Sequence, residues 1–199
     1  MWKLLPISLI IKVYIAVLTI IFFIVNLIPE WGLLKVVEVS GLVSLGIMFL
    51  LAKWGWKYIW KNKLIDLNKL ICPDLNGNWE GNICSNYSDE IKKVKAKIEV
   101  DFLTFKMFLN SEDNYSESSV ISSQLYRDTR TDIIYLYYMF EGQVPNPKKT
   151  DETSFDGAAK LKVKYENGSF QLEGTYWTNR GYQNNNNTAG RIELKKSNY

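Results

Sequence analysis

Two long apolar runs open the chain, and a period-two alternation of apolar and polar positions fills much of the remainder. Residues 7–28 are almost all apolar, broken by one charge, Lys12, and one amide, Asn26. The turn Pro29-Glu30-Trp31-Gly32 leads into a second apolar run over 33–52. A bilayer core takes about 20 apolar residues as helix, so each run is long enough to span once. The first run is too long for the apolar part of a cleaved leader. No small-x-small site follows it, and a second span comes directly after. A two-helix membrane hairpin is predicted.

Past Cys72-Pro73-Asp74 the period changes. Val94, Ala96, Ile98, Val100 and Phe102 alternate with Lys93, Lys95, Lys97, Glu99 and Asp101, which reads as a strand with one face inside and one in water. Ala159, Leu161, Val163 and Tyr165 repeat the rhythm, as do Phe170, Leu172, Gly174 and Tyr176. The run 133–140 is apolar or aromatic on both faces, which predicts an outer face covered by a connector or another subunit. Turn signals separate the runs, among them Asn167-Gly168, a tight-hairpin dipeptide. About eight strands in sequence, with no helical pattern between them, are most simply closed as an up-and-down antiparallel barrel, able to hold one small ligand. The fold expected is thus a membrane α-helical hairpin plus an all-β, lipocalin-like barrel. Its parts are a hairpin over 1–54, a helical juxtamembrane connector over 55–72 and a ligand-binding barrel over 73–199.

Charge sets the orientation. Lys53, Lys57, Lys61 and Lys63, interleaved with Trp54, Trp56, Tyr58 and Trp60, follow the second span, and Trp2-Lys3 precede the first. Basic residues stay cytoplasmic and aromatic rings sit at headgroup level, so both termini and the barrel are expected on the cytoplasmic side. Leu64, Leu67 and Leu70 fit one face of a connector helix. Within the spans, Lys12 and Lys35 read as snorkelling or as interhelical pairs, and Asn26 and Glu38 as lipid-edge groups or as parts of an assembled interface. Ser40 and Ser44, with Gly41 beside them, form a small-xxx-small pair that permits close helix approach.

Composition narrows the chemistry. The 199 residues carry a net charge of +3, which does not describe a DNA- or RNA-binding surface. There is no His, which removes His-based acid–base chemistry, nucleophilic triads and His-ligated zinc. Cys72 and Cys84 are too few for a Cys-rich metal site, and a cytoplasmic placement keeps them reduced. No phosphate loop, nucleophile elbow or paired-carboxylate motif is present, so no enzyme is expected. The sequons at Asn86, Asn114, Asn167 and Asn186 read as ordinary polar turns, and Asp151-Glu152 as a solvated loop.

Candidate binding residues gather late in the chain. Gly174-Thr175-Tyr176-Trp177-Thr178-Asn179-Arg180-Gly181-Tyr182 combines rings, hydroxyls, an amide and a guanidinium near one strand end. Those groups hold nucleotides, since rings stack on bases and Arg grips phosphate or a guanine edge. Tyr176, Thr178, Asn179 and Arg180 are therefore candidates, with Tyr87, Tyr137 and Arg191 from other strands. Tyr126-Arg127 lie near another strand end, and Tyr135 shares a face with Tyr137. Barrel packing is the competing reading for any single Tyr.

The opening Leu75-Asn76-Gly77-Asn78-Trp79-Glu80-Gly81 resembles the lipocalin-type start, in which the Trp plugs the closed end and a late Arg packs on its ring. By that resemblance Trp79 and Arg191 pair through a cation–π contact; ligand contact is the other reading of Arg191. In layout, and in the Gly-x-Tyr-Trp and Gly-Arg strands, the chain resembles the two-transmembrane β-barrel effectors of bacterial CBASS antiphage systems. The resemblance implies a barrel that binds a cyclic dinucleotide or related cyclic oligonucleotide, homo-oligomerises through its helices and disrupts the inner membrane, causing abortive infection. It implies no cofactor beyond that activating ligand, and the lipid bilayer as partner. Asn26, Lys35, Glu38, Ser40 and Ser44 are the membrane and oligomer positions. Two other functions fit the same layout, a tethered carrier of an apolar ligand and a membrane scaffold with no ligand.

Overall fold

A computed structural model describes residues 4–5, 7–56, 58, 73–86, 88–148, 152–184 and 187–197. The apolar runs form α1, Ile7–Val25, and α2, Leu33–Leu50, which passes into a π-helical turn, Leu51–Gly55. Helices of 19 and 23 residues, α2 counted with that turn, are long and apolar enough to cross a bilayer. They pack on each other, burying Val25, Val36, Ser40 and Ser44. The small side chains of Ser40 and Ser44 permit the approach. Their hydroxyls are satisfied within α2 itself, donating to the carbonyls of Val36 and Ser40 at 2.6 Å each. The close approach predicted at this pair is therefore made inside the hairpin. Lys35 Nζ lies 4.5 Å from the Trp31 ring centroid, and Lys12, Asn26 and Glu38 are exposed on the hairpin surface.

The alternating segments form β1 Gly77–Ser85, β2 Ser88–Val100, β3 Phe105–Ser111, β4 Glu117–Arg127, β5 Ile134–Gln143, β6 Ser154–Glu166, β7 Ser169–Thr178 and β8 Ala189–Lys196. They close in sequence order into an antiparallel barrel, with β1 paired to β8. This is the predicted up-and-down barrel. Asn167 and Gly168, at φ 52° and 80°, make the tight turn between β6 and β7. Ala96, Ile98, Leu136, Ala159, Leu161, Leu172, Ile192 and Leu194 fill the interior. The outer side of 133–140 carries Tyr135, Tyr137 and Met139, and among the described residues Tyr137 and Met139 remain exposed. The connector expected over 55–72, with Leu64, Leu67 and Leu70, falls mostly outside the described residues, as does Cys72.

One end of the barrel is sealed. Gly77 takes φ 130°, which side chains disfavour, and the strand then turns Trp79 wholly inward. Its indole Nε1 donates to the Leu75 carbonyl at 3.0 Å, and Leu75 and Trp56 complete the plug. The predicted Trp79–Arg191 stack is not made. Ile192 and Leu194 face inward, so the alternation places Arg191 on the outer wall, opposite Cys84 and Thr175 and 3.7 Å from Glu193. The residue paired with Trp79 is Lys196. Lys196 Nζ donates to the Asp74 carbonyl at 2.8 Å and lies 5.9 Å from the Phe170 centroid. Burial lowers its pKa, partly offset by the Asp74 charge.

The helices attach at this sealed end. Lys53 Nζ donates to Asp101 Oδ2 at 2.9 Å, in the turn between β2 and β3. Asp101 Oδ1 accepts from the N–H groups of Leu103 and Thr104 at 2.8 and 2.6 Å. Burial acts to raise the Asp101 carboxyl, but the bonds from Lys53, Thr104 and Leu103 together hold it below the usual carboxylate range.

Candidate ligand-binding site

The opposite end of the barrel is open and forms a bowl of about 1010 Å³, counting the space open to solvent at its mouth. Two glycines shape its wall. Gly142 pairs with Phe155 and Phe140 with Gly157 across the β5–β6 ladder. A Cβ on Gly142 would meet the Phe155 ring, and one on Gly157 would meet the Phe140 ring. Each ring therefore lies against the bare backbone of its partner, and the space beyond stays open. A bulge between Val120 and Ser122 shifts the register of β4 beside this wall.

The deeper surface is apolar, with Val94, Met107, Leu109, Phe140 and Ile192 among its lining residues. Ser85, Ser111, Ser116, Thr178 and Thr188 bring hydroxyls nearer the mouth. Tyr138 and Tyr176 reach the same space. Burial pushes the Tyr138 phenol well above its usual value. Burial also raises Tyr176, against the opposing effect of its bond with Ser85. Both are neutral hydroxyls at physiological pH.

Two cations meet one ring at the rim. Arg180 Nη2 donates to the Tyr115 phenol oxygen at 2.9 Å, and the guanidinium carbon lies 5.7 Å from the Tyr115 centroid and 5.3 Å from that of Phe155. Lys92 Nζ lies 4.8 Å from the Tyr115 centroid. Tyr115 is held by the turn between β3 and β4. Its N–H donates to Asp113 Oδ1 at 3.0 Å, and Asn114 takes φ 54°. The Asp113 carboxyl sits below its usual range, mainly through the Ser111 hydroxyl and the Tyr115 N–H, with Lys92 adding to the effect. An apolar bowl with aromatic walls and paired cations at the rim suits a ligand with flat rings and separated anionic groups.

Of the residues singled out in the sequence, Tyr176, Thr178 and Arg180 line the bowl. Thr178 Oγ1 is 2.5 Å from Thr188 Oγ1, bridging the ends of β7 and β8. Asn179 ties the rim together: its Oδ1 accepts from the Asp156 N–H at 2.8 Å, and its own N–H donates to the Asp156 carbonyl at 2.9 Å. Tyr137 lies on the outer wall beside Tyr135, with Lys160 Nζ 5.6 Å from its ring. Arg191 is also on the outer wall, so neither enters the bowl. Tyr126 and Arg127 end β4 at the sealed end. Tyr87 lies outside the described residues. The sequence reading missed Lys92, Tyr115, Phe155 and Tyr138. For Lys92 a signal exists, because it shares the inward phase of Val94 and Ala96 rather than the outward phase of Lys93 and Lys95.

Residues 70–196 match the family model described as Cap15, cyclic dinucleotide receptor domain. The chain is similar to CD-NTase-associated protein 15 of Escherichia albertii, with 35% identity over 198 residues and 98% of each chain covered. It is also similar to a protein of the same name from Staphylococcus schleiferi, with 30% identity over 142 residues, 70% of this chain and 69% of that one.

Proposed function

This chain belongs to the Cap15 family of cyclic dinucleotide receptors, and on that premise we propose that its ligand sits in the bowl and that binding triggers assembly of the helical hairpins and disruption of the bacterial inner membrane. The observation that carries the reading is the placement of Lys92 and Arg180 beside the ring of Tyr115, above an apolar floor. A cyclic dinucleotide offers two phosphates for the cations and two bases for the rings. The protein acts as a receptor and breaks no bond. In this scheme 1–54 is the membrane hairpin, 55–72 the connector and 73–199 the sensor, with both termini and the barrel cytoplasmic. Ligand binding shifts the population toward an assembled form, because the ligand binds that form better. The host cell then stops before phage is released, the role of a CBASS effector.

The test uses the full-length chain in lipid nanodiscs, melted against a panel of cyclic di- and trinucleotides, with linear dinucleotides and fatty acids alongside. A ligand at 100 times its Kd stabilises the native state by about 2.7 kcal/mol. A saturable shift with one cyclic dinucleotide, absent with linear ones, supports the proposal. No shift with any cyclic compound overturns it, and a shift with fatty acids alone points to an apolar-ligand carrier.

A further inference from the structure

Within α2 the buried positions Val36, Ser40 and Ser44 mark the face turned to α1. At about 100° per residue, Glu38 points about 160° away from the centre of that face. Leu42, Leu45 and Phe49 lie on the same outward side and are 64%, 57% and 56% exposed. With Lys35 they complete a 3-4-3-4 spacing, Lys35, Glu38, Leu42, Leu45, Phe49, the spacing of a two-helix seam. Lys35 and Glu38 are the only two charged residues in α2, and both fall on this line. Glu38 makes no hydrogen bond or ion pair among the described residues, while Lys35 is drawn toward the Trp31 ring. A carboxylate on the lipid-facing side of an apolar span is stabilised by a charged partner.

We infer that the outward face of α2 is a contact between two copies of this chain, in which Lys35 of one copy meets Glu38 of the other. The inference rests on the assembly reading above. Charge complementarity names the occupant. Copies inserted alike share one orientation, so Lys35 and Glu38 of neighbours differ in depth by only about 4.5 Å, three residues of helix rise. In a parallel pair successive layers of the seam are adjacent along the axis, so Lys35 of one helix comes beside Glu38 of the other. A two-fold pairing of this face therefore makes the Lys–Glu contact twice. Leu42, Leu45 and Phe49 continue the seam below it.

The test is disulfide cross-linking of the full chain in membranes, on a background with Cys72 and Cys84 replaced by Ser, with and without a panel of cyclic dinucleotides. Leu42→Cys and Leu45→Cys are compared with Phe23→Cys on the outer side of α1. Cross-linked dimer is expected at the two α2 positions and not at Phe23→Cys. Glu38→Lys is expected to abolish it, and the charge swap Lys35→Glu/Glu38→Lys to restore it, with nucleotide binding intact in each. Cross-linking that favours Phe23→Cys overturns the inference and leaves the assembly reading standing. So does an oligomer on native gels that Glu38→Lys leaves unchanged. A chain that stays monomeric under every condition overturns both.

Discussion

Arg180 and Tyr115, on opposite walls of the barrel mouth, are joined by a hydrogen bond of 2.9 Å from the guanidinium to the phenol oxygen. The bond holds the Arg180 side chain across the bowl before any ligand arrives. A charge-assisted bond to phosphate contributes about 1.5–3 kcal/mol, so Arg180→Ala is expected to weaken cyclic dinucleotide binding by roughly 10- to 100-fold. The melting temperature without ligand should barely change. Titration calorimetry beside a melting curve checks both, and loss of fold would make Arg180 structural.

Tyr115 separates ring from hydroxyl. A phosphate that engages Arg180 competes with the phenol for it. Tyr115→Phe is therefore expected to bind ligand as tightly as the parent or a few-fold better. Tyr115→Ala removes a stacking surface worth about 1–3 kcal/mol per base and should bind at least tenfold more weakly. Equal losses in the two variants would mean that the hydroxyl itself touches the ligand.

The glycines behind the rings make a steric prediction. Gly142→Val places a branched side chain where the Phe155 ring now lies. The ring has to move toward the bowl, an overpacking strain of about 1–3 kcal/mol. Ligand affinity should fall while the far-ultraviolet spectrum stays that of a β-barrel. Unchanged affinity would show that ligand does not reach this wall.

Trp79 and Arg191 differ sharply in what they contribute to stability. Trp79 is fully buried in the plug, and Trp79→Ala should cost about 3–5 kcal/mol in denaturant unfolding. Arg191 stands on the outer wall, and Arg191→Ala should stay within about 0.5 kcal/mol of the parent. A large loss at Arg191 would contradict its placement.

Acid should loosen the joint between helix and barrel. A carboxyl whose folded-state pKa lies below its unfolded value of about 3.9 adds stability above that pH and loses it as pH falls through the folded value. Asp101 is such a group. Because Lys53 is 41% exposed, the pair contributes at most about 1 kcal/mol. Asp101→Asn should remove that contribution at pH 7 and flatten the stability curve below about pH 4. A parallel shift of the whole curve would assign the acid limb to other carboxylates.

The barrel is legible in the sequence because alternation survives in nearly every strand and Asn167-Gly168 marks a hairpin. The same alternation, counted through to strand ends, separates inner from outer residues. It puts Lys92 in phase with Val94 and Lys196 in phase with Leu194, two inward cations that composition alone treats as surface charge. It also puts Tyr137 between inward Leu136 and Tyr138, and Arg191 beside inward Ile192, so both face out. Tyr115 carries no such mark. It sits in a turn, where period is lost, and only the closure of the barrel through β1 and β8 brings it to Arg180. The reciprocal seating of Phe140 and Phe155 on Gly157 and Gly142 likewise depends on pairing register, which a linear reading does not contain.

Among the described residues, the plug of Trp79, Leu75 and Trp56 closes the end of the barrel nearer the helices. Water and ions entering at the mouth meet a floor of packed side chains, and among the described residues no axial path runs through it. In the proposed scheme, a leak in the bilayer is therefore built outside the barrel, from the helices and the lipid around them. The sensor can be saturated with ligand and still conduct nothing by itself.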